Sequence, residues 1–231
     1  MIKALSYGGG VNSTAILALI KLGEYPMPDR IIFCDTGAER EETYCYMRFM
    51  QKQFPTIETI KSKRGGLIEY CDKYKVIPAR MTRWCTINTK IKPFQDLFKG
   101  IEHIKILGIA NDESHRVRDT GEKTEYPLIE KQMTRDDCIN IIREVGWDVP
   151  IKSGCFICPF MRIAELRALY KRNGHEWETL VRLEKQANDR NKKIFFRGNK
   201  LLTDWIKDRH WNSQEIIDGF ENYQHCLCKF D

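Results

Sequence analysis

The chain of 231 residues has no apolar run near the roughly 18 residues needed to cross a bilayer, so no membrane-spanning helix is expected. It also lacks a charged-then-apolar leader before its first apolar stretch, and a cytoplasmic location with reduced thiols is the corresponding expectation. Internal repeats, low-complexity tracts and a clear linker are absent too, which argues against repeat-built and tail-dominated architectures. Neither sign of charge is in large excess. Thirty-eight basic against 32 acidic residues leave +6, which favours anionic ligands without defining a nucleic-acid surface. Cysteine, by contrast, is plentiful: there are nine. An odd count without an export signal argues against a disulfide framework and leaves metal or redox chemistry for two close pairs, Cys155/Cys158 and Cys226/Cys228. Cys34, Cys45, Cys71 and Cys138 lie in apolar stretches or helices and are expected as small packing residues.

The first eighteen residues organise the rest. Ile2 to Leu5 reads as a buried strand, Ser6 to Asn12 as a glycine-rich turn and Ser13 to Leu22 as a helix. Gly8, Gly9 and Gly10 remove every Cβ from the turn, so backbone N–H groups can crowd around an anion. Asn12 and Ser13 are expected to cap the helix where its positive end faces that anion. Phosphate is the expected guest.

Ile31 to Cys34 makes a second strand ending at Asp35-Thr36-Gly37, followed by a helix over Glu41 to Phe54 and a third strand over Ile57 to Ile60. Alternation of strand and helix implies parallel βαβ units, whose ligands sit beyond the carboxyl ends of the strands. Arg80-Met81-Thr82-Arg83-Trp84-Cys85, followed by Lys90 and Lys92, gathers cations that an anionic substrate would neutralise. Ile104 to Ile109 is a further strand, and Thr134 caps a helix running to about Val145. The last seventy residues read as helices over Arg162 to Arg172, Glu176 to Asn188 and Leu201 to Asp208. Their aromatics, Trp177, Phe195, Phe196, Trp205 and Trp211, suit either helix packing or stacking on a nucleic acid.

These segments carry a resemblance. Gly8-Gly9-Gly10-Val11-Asn12-Ser13 resembles the pyrophosphate loop, Ser-Gly-Gly-x-Asp-Ser, of the adenine-nucleotide α-hydrolase superfamily, with Gly8 at its first Ser, Val11 where Lys is common and Asn12 at its Asp. Asp35-Thr36-Gly37, then Cys85-Thr86-Ile87-Asn88-Thr89-Lys90-Ile91-Lys92-Pro93-Phe94, then Gly108 to Arg116, are similar to segments of the phosphoadenosine phosphosulfate (PAPS) and adenosine phosphosulfate (APS) reductases. The resemblance implies a Rossmann-like, doubly wound, mostly parallel α/β sheet with a C-terminal helical region, divided as 1–150 and 151–231. It implies an adenine nucleotide (ATP with Mg²⁺, APS or PAPS) bound by Ser6, Gly8, Gly9, Gly10, Asn12, Ser13, Asp35, Thr36, Gly37, Arg83, Lys90, Ser114 and Arg118, with Glu113 and Cys85 as catalytic groups. The family's arginine ahead of Glu113 has no counterpart at Ala110 or Asn111.

APS reductases bind a [4Fe–4S] cluster through Cys-Cys and Cys-x-x-Cys. Here Thr86 vacates one position, so the resemblance implies Cys85, Cys155 and Cys158 as ligands, with Cys228 or Cys226 supplied by the tail, and zinc as the alternative. The Glu-Cys-Gly-x-His ending of the reductases has no match in Gln224 to Asp231, where Cys226 is the expected reactive thiol. Three readings stand together. The first is a reductase-like enzyme of sulfur metabolism. The second is a sulfurtransferase that adenylates and thiolates a nucleic acid. The third is a non-catalytic nucleotide-binding protein with structural zinc. A sulfur- or electron-donor protein and a homodimer are the expected partners.

Overall fold

The computed structural model describes residues 1–172 and 174–207. The chain divides into two compact units. The first comprises 1–35, 41–60 and 93–153; the second comprises 36–40, 61–92 and 154–231.

In the first unit the sheet is built from β1 (Ile2–Tyr7), β2 (Arg30–Asp35), β3 (Ile57–Lys61), β4 (His103–Leu107) and β5 (Thr124–Glu125), in the order β3-β2-β1-β4-β5. β1 runs parallel to both β2 and β4, and β4 runs parallel to β5. The expected α/β sheet is thus observed, with β1 central because its short apolar run is flanked by two others of the same kind. Leu5 pairs with Ile31 on one side and Ile106 on the other, and all three are fully buried. Each strand is bounded by residues that break it: glycines after Tyr7, and Pro28 and Asp29 before Arg30. One face of the sheet presents Ala4, Ile32 and Cys34 to Phe94, in the first turn of α5 (Lys92–Leu97), and Phe98, just after it.

Helix α1 (Val11–Lys21) is buried from Val11 through Leu19 and packs on α7 (Arg135–Glu144). α7 starts where its sequence dictates. Thr134 Oγ1 accepts from Asp137 N at 3.3 Å while Asp137 Oδ2 accepts from Thr134 N at 2.8 Å, a reciprocal capping box. The unit also contains α2 (Glu41–Gln53), a 3₁₀ turn over Asn111–Arg116 and the short α6 (Pro127–Glu130).

The second unit contains α3 (Leu67–Tyr74), a helical turn α4 (Trp84–Thr86) widening into a π turn over Ile87–Ile91, and α8 (Ile163–Arg172), α9 (His175–Arg190) and α10 (Leu202–Trp205). Its core joins Leu67, Cys71 and Ile77 to Phe156, Ile157, Leu166, Leu180 and Leu183. Trp177 and Phe196 are buried in this core and Trp205 packs against it, so these aromatics serve packing; Trp211 lies outside the described residues. Cys34, Cys45, Cys71 and Cys138 are buried, as their apolar settings imply, and burial pushes the Cys71 and Cys138 thiols up to about 12. No helix among the described residues is long and apolar enough to cross a membrane.

Candidate functional site

In the first unit the turn from β1 to α1 is built for close approach. Gly9 takes a left-handed φ of +66°, and Gly10, extended, occupies the position before the helix. The helix therefore begins at Val11, earlier than expected, and Asn12 and Ser13 lie in its first turn and do not cap it. No side chain caps this helix end and no acidic residue lies in its first turn, so its opening N–H groups make the turn electropositive. Ser13 folds back: its Oγ donates to Gly10 O at 3.1 Å and accepts from Gly8 N at 3.3 Å, fixing the loop.

Asn12 is redirected for a stated reason. Its Nδ2 donates to Glu113 Oε2 at 2.8 Å, a charge-assisted bond that turns the amide toward the carboxylate and away from the helix end. Arg116 Nη1 lies 2.8 Å from the same Glu113 oxygen, and Arg135 Nη1 reaches Asn12 Oδ1 at 3.5 Å. The structure thus brings Gly8, Gly9, Gly10, Asn12, Ser13 and Glu113 together, and it pairs Arg116 with Glu113. Arg118 and Ser114 are exposed beyond that pair. Asp35 is buried at the end of β2 and accepts from Tyr44 Oη at 2.7 Å, whereas Ser6 lies within β1. Gly108 was visible only as a motif position. A Cβ there would lie 2.8 Å from Ser13 N and 2.9 Å from Ser13 Cα, so this glycine sets the packing of the loop. Ser153 and Arg135, without any local signal, were missed; a Cβ on Gly10 would lie 2.8 Å from Ser153 Oγ.

The amide at position 12 carries a prediction. Asn12→Asp would set a second carboxylate against Glu113, and at neutral pH it should lower stability by about 1–2 kcal/mol. Repulsion exists only while both groups are ionised, so the loss should shrink as pH falls through the carboxylate range. Urea unfolding of both proteins between neutral and acidic pH checks this.

In the second unit Thr36, Glu39, Lys90 and Cys155 form a cluster. Thr36 Oγ1 donates to Glu39 Oε1 at 3.1 Å and lies 3.2 Å from Cys155 Sγ, which itself is 3.7 Å from that carboxylate oxygen. Lys90 Nζ is 3.0 Å from Glu39 Oε1, while Glu39 Oε2 is buried with no partner among the described residues. Burial first, then the Glu39 carboxylate, holds the Cys155 thiol well above the ordinary thiol range, against the opposing pull of Lys90. Glu39 had no sequence signal, standing in an acidic run before α2. Gly37 takes φ +70° against Gly66, and Arg83 is exposed.

Cys155 and Cys158 share a turn, Cys158 N donating to Cys155 O at 3.1 Å. No three His, Cys, Asp or Glu side chains among the described residues are placed to hold a metal ion, Cys85 with this pair included. Cys226 and Cys228 lie outside the described residues. The described donor set thus does not fit a four-thiolate cluster or a Cys₄ zinc site, and no step is routed through either.

A parallel sheet with a glycine turn at the end of its central strand defines an α/β nucleotide-binding class of fold. Residues 3–134 match the phosphoadenosine phosphosulfate reductase domain, and the chain belongs to that family. A protein of Methanocaldococcus jannaschii, described as "Uncharacterized protein MJ0066", is 27% identical over 236 residues, covering 90% of this chain and 45% of that protein. The chain therefore spans about half the length of this curated relative. The crystal structure of phosphoadenylyl-sulfate (PAPS) reductase from Candida auris, a phosphate complex, aligns with a TM-score of 0.52 at 18% identity, over 65% of this chain and 75% of that one. At that identity the likeness shows the fold alone.

Proposed function

We propose that this protein is an enzyme of sulfur metabolism that binds an adenine nucleotide with its phosphates on Gly8 to Ser13. The observation that carries the reading is the uncapped first turn of α1 beside a glycine loop, in a chain of the PAPS reductase family. Gly9 and Gly10 let the backbone approach the phosphates, Ser13 holds the loop, and the Asn12–Glu113–Arg116 chain fixes its flank. The substrate is a phosphosulfate nucleotide (APS or PAPS), in which the loop orients the anhydride for attack on sulfur by a thiolate; the S–O bond to the phosphate breaks, the nucleotide leaves as its phosphate (AMP or adenosine 3′,5′-bisphosphate), and a second thiol releases sulfite from the thiosulfonate with formation of a disulfide. ATP, adenylating an acceptor before thiolation, is the alternative for the same loop, and Asn12 in place of an aspartate argues for less Mg²⁺ dependence than that reaction ordinarily has.

Calorimetric titration with APS, PAPS, ATP and AMP tests the binding, and anaerobic assays for sulfite or pyrophosphate release separate the two reactions. Binding of a phosphosulfate nucleotide with sulfite release on thiol addition is the expected result. Absence of binding to all four nucleotides would overturn the reading. Iron, sulfide and zinc analysis of the same anaerobic preparation, repeated on Cys155→Ala/Cys158→Ala, reads the cofactor independently of turnover.

A further inference from the structure

The glycine loop makes no use of a group of arginines held around one exposed ring in the second unit, one of which, Arg83, the resemblance assigns to the nucleotide. Pro159, Phe160 and Met161 follow Cys158, and Phe160 is 51% exposed. Arg80 Nε donates to Pro159 O at 2.8 Å, and its guanidinium lies 5.8 Å from the centroid of the Phe160 ring. The Arg83 guanidinium lies 5.9 Å from the same centroid. Arg197 Nη1 donates to Met161 O at 2.9 Å. Among the described residues none of these three arginines forms an ion pair; carbonyls and a π face hold them.

Gathering them is costly. Burial, then the neighbouring Arg80, lowers the pKa of Arg197, and an anion on the group would relieve both effects. Arg83 adds backbone strain at φ +43°, a left-handed conformation disfavoured for a residue with a side chain. It sits immediately before Trp84, whose ring lies 4.8 Å from that of Tyr70. Strain kept at an exposed cation, next to a residue packed against the core, suits a cation that must be presented.

The charge of the chain is distributed to match. Between Lys61 and Lys92 there are nine Lys and Arg against two Asp and Glu. The described residues of the second unit hold 22 basic against 9 acidic, +13, while those of the first hold 14 against 18, −4. The whole positive excess therefore lies on the unit that carries the arginine group.

We propose that Arg80, Arg83, Arg197 and Phe160 form a binding surface for single-stranded nucleic acid, the guanidinium groups taking phosphates and the Phe160 ring stacking a base. A polyanion is required by the charge, and the ring selects among polyanions. An acidic peptide would satisfy the arginines but leave a half-exposed phenyl ring beside charged groups. Each nucleotide of a single strand brings both a phosphate and a flat base, and phenyl and guanidinium planes both accept a stacked base. Within a duplex the bases are stacked on one another, and only the terminal pair offers a free face.

Fluorescence anisotropy of the full chain with a labelled oligo(dT) of about twenty nucleotides tests this from about 50 to about 300 mM KCl. With three phosphates neutralised, log affinity should fall against log salt with a slope of about −2. Arg83→Ala should reduce that slope by about 0.7. Phe160→Ala should weaken binding about tenfold at unchanged slope, the signature of lost stacking. An unaltered melting temperature for each variant, and for Phe160→Ala an unaltered calorimetric titration with nucleotide, show that these variants fold. The proposal is overturned by absence of binding at the lowest salt, or by equal affinity in the Arg80→Ala/Arg83→Ala/Phe160→Ala protein. Displacement of the oligonucleotide by poly-glutamate as effectively as by unlabelled oligo(dT) would assign the surface to an acidic protein, and full displacement by AMP or PAPS would assign it to the nucleotide; either result also overturns it. Because the readout needs no nucleotide turnover, its failure is distinct from failure of the function proposed above.

Discussion

Gly108→Val should lower the unfolding free energy by about 3 kcal/mol and weaken nucleotide binding at least tenfold. Gly108 follows β4 directly, and its φ is not in the left-handed region, so backbone conformation does not require glycine. Space does. A Cβ would meet Ser13 N at 2.8 Å, Ser13 Cα at 2.9 Å and the Asn12 carbonyl carbon at 3.0 Å. All three are main-chain atoms of the first turn of α1, with no flexible end that could swing aside. Any side chain must push α1 away from β4, and α1 is buried along most of its length, so the displacement is shared with the core. The same displacement moves the N–H groups proposed to hold phosphate. Gly8→Ala is the control, because a Cβ at Gly8 meets nothing within 4 Å. It should leave the melting temperature unchanged. Thermal melts and calorimetric titrations of both variants check the pair, and a Gly108→Val protein with native stability and affinity would show that α1 does not sit against β4 as described.

The strands and the family were legible because each signal is short and continuous. β1, β2 and β4 are apolar runs bounded by strand-breaking residues, and three successive glycines mark the first turn whatever the rest of the chain does. The capping box of α7 was legible for the same reason: Thr134 and Asp137 are three residues apart. Asn12 was misread because its partner is Glu113, 101 residues away, and no local rule reports a competing acceptor at that distance. Local preference made Asn12 a cap; the tertiary carboxylate won, and Gly10 took the position before the helix.

Lys90 and Cys155 show the limit more sharply. Spacing and resemblance marked both, yet their shared neighbour Glu39 lies inside Glu39-Arg40-Glu41-Glu42, a run that reads as solvated charge. Glu39 and Arg40 are instead buried, where an isolated antiparallel bridge between Glu39 and Cys155 draws residues 38–40 against residues 154–156 within the second unit. Arg40 N donates to Gly154 O and Phe156 N to Ala38 O across that bridge. Burial of a charged run by pairing with a distant segment leaves no trace in its own composition. For the same reason the arginine group around Phe160 was visible only as an accumulation of cations near Arg83; Arg197 joins it from a position 114 residues further along.

Arg40→Met should destabilise the second unit by about 3–5 kcal/mol. Arg40 Nη2 lies 2.9 Å from Glu165 Oε1, with side-chain exposures of 8% and 1%, so this pair is screened far less than the surface pairs elsewhere in the chain. Glu165 is fixed twice over, since its other oxygen accepts from Arg162 N at 2.7 Å at the start of α8. Methionine fills much of the space of the arginine stem but removes the cation that Glu165 Oε1 faces. The cost is the desolvation of that charge, not the Coulomb attraction as such, which is why the double variant Arg40→Met/Glu165→Met should recover most of the loss. Damage should appear first where Arg40 meets residue 154. Hydrogen exchange at the Phe156 amide, bonded to Ala38 O at 2.9 Å, should accelerate in Arg40→Met and return toward the native rate in the double variant. Urea unfolding supplies the free energies and exchange supplies the location. A loss below about 1 kcal/mol in the single variant would mean that the pair is solvated, as exposed pairs of that value are, and that Arg40 does not hold residues 36–40 against the turn bearing Cys155 and Cys158.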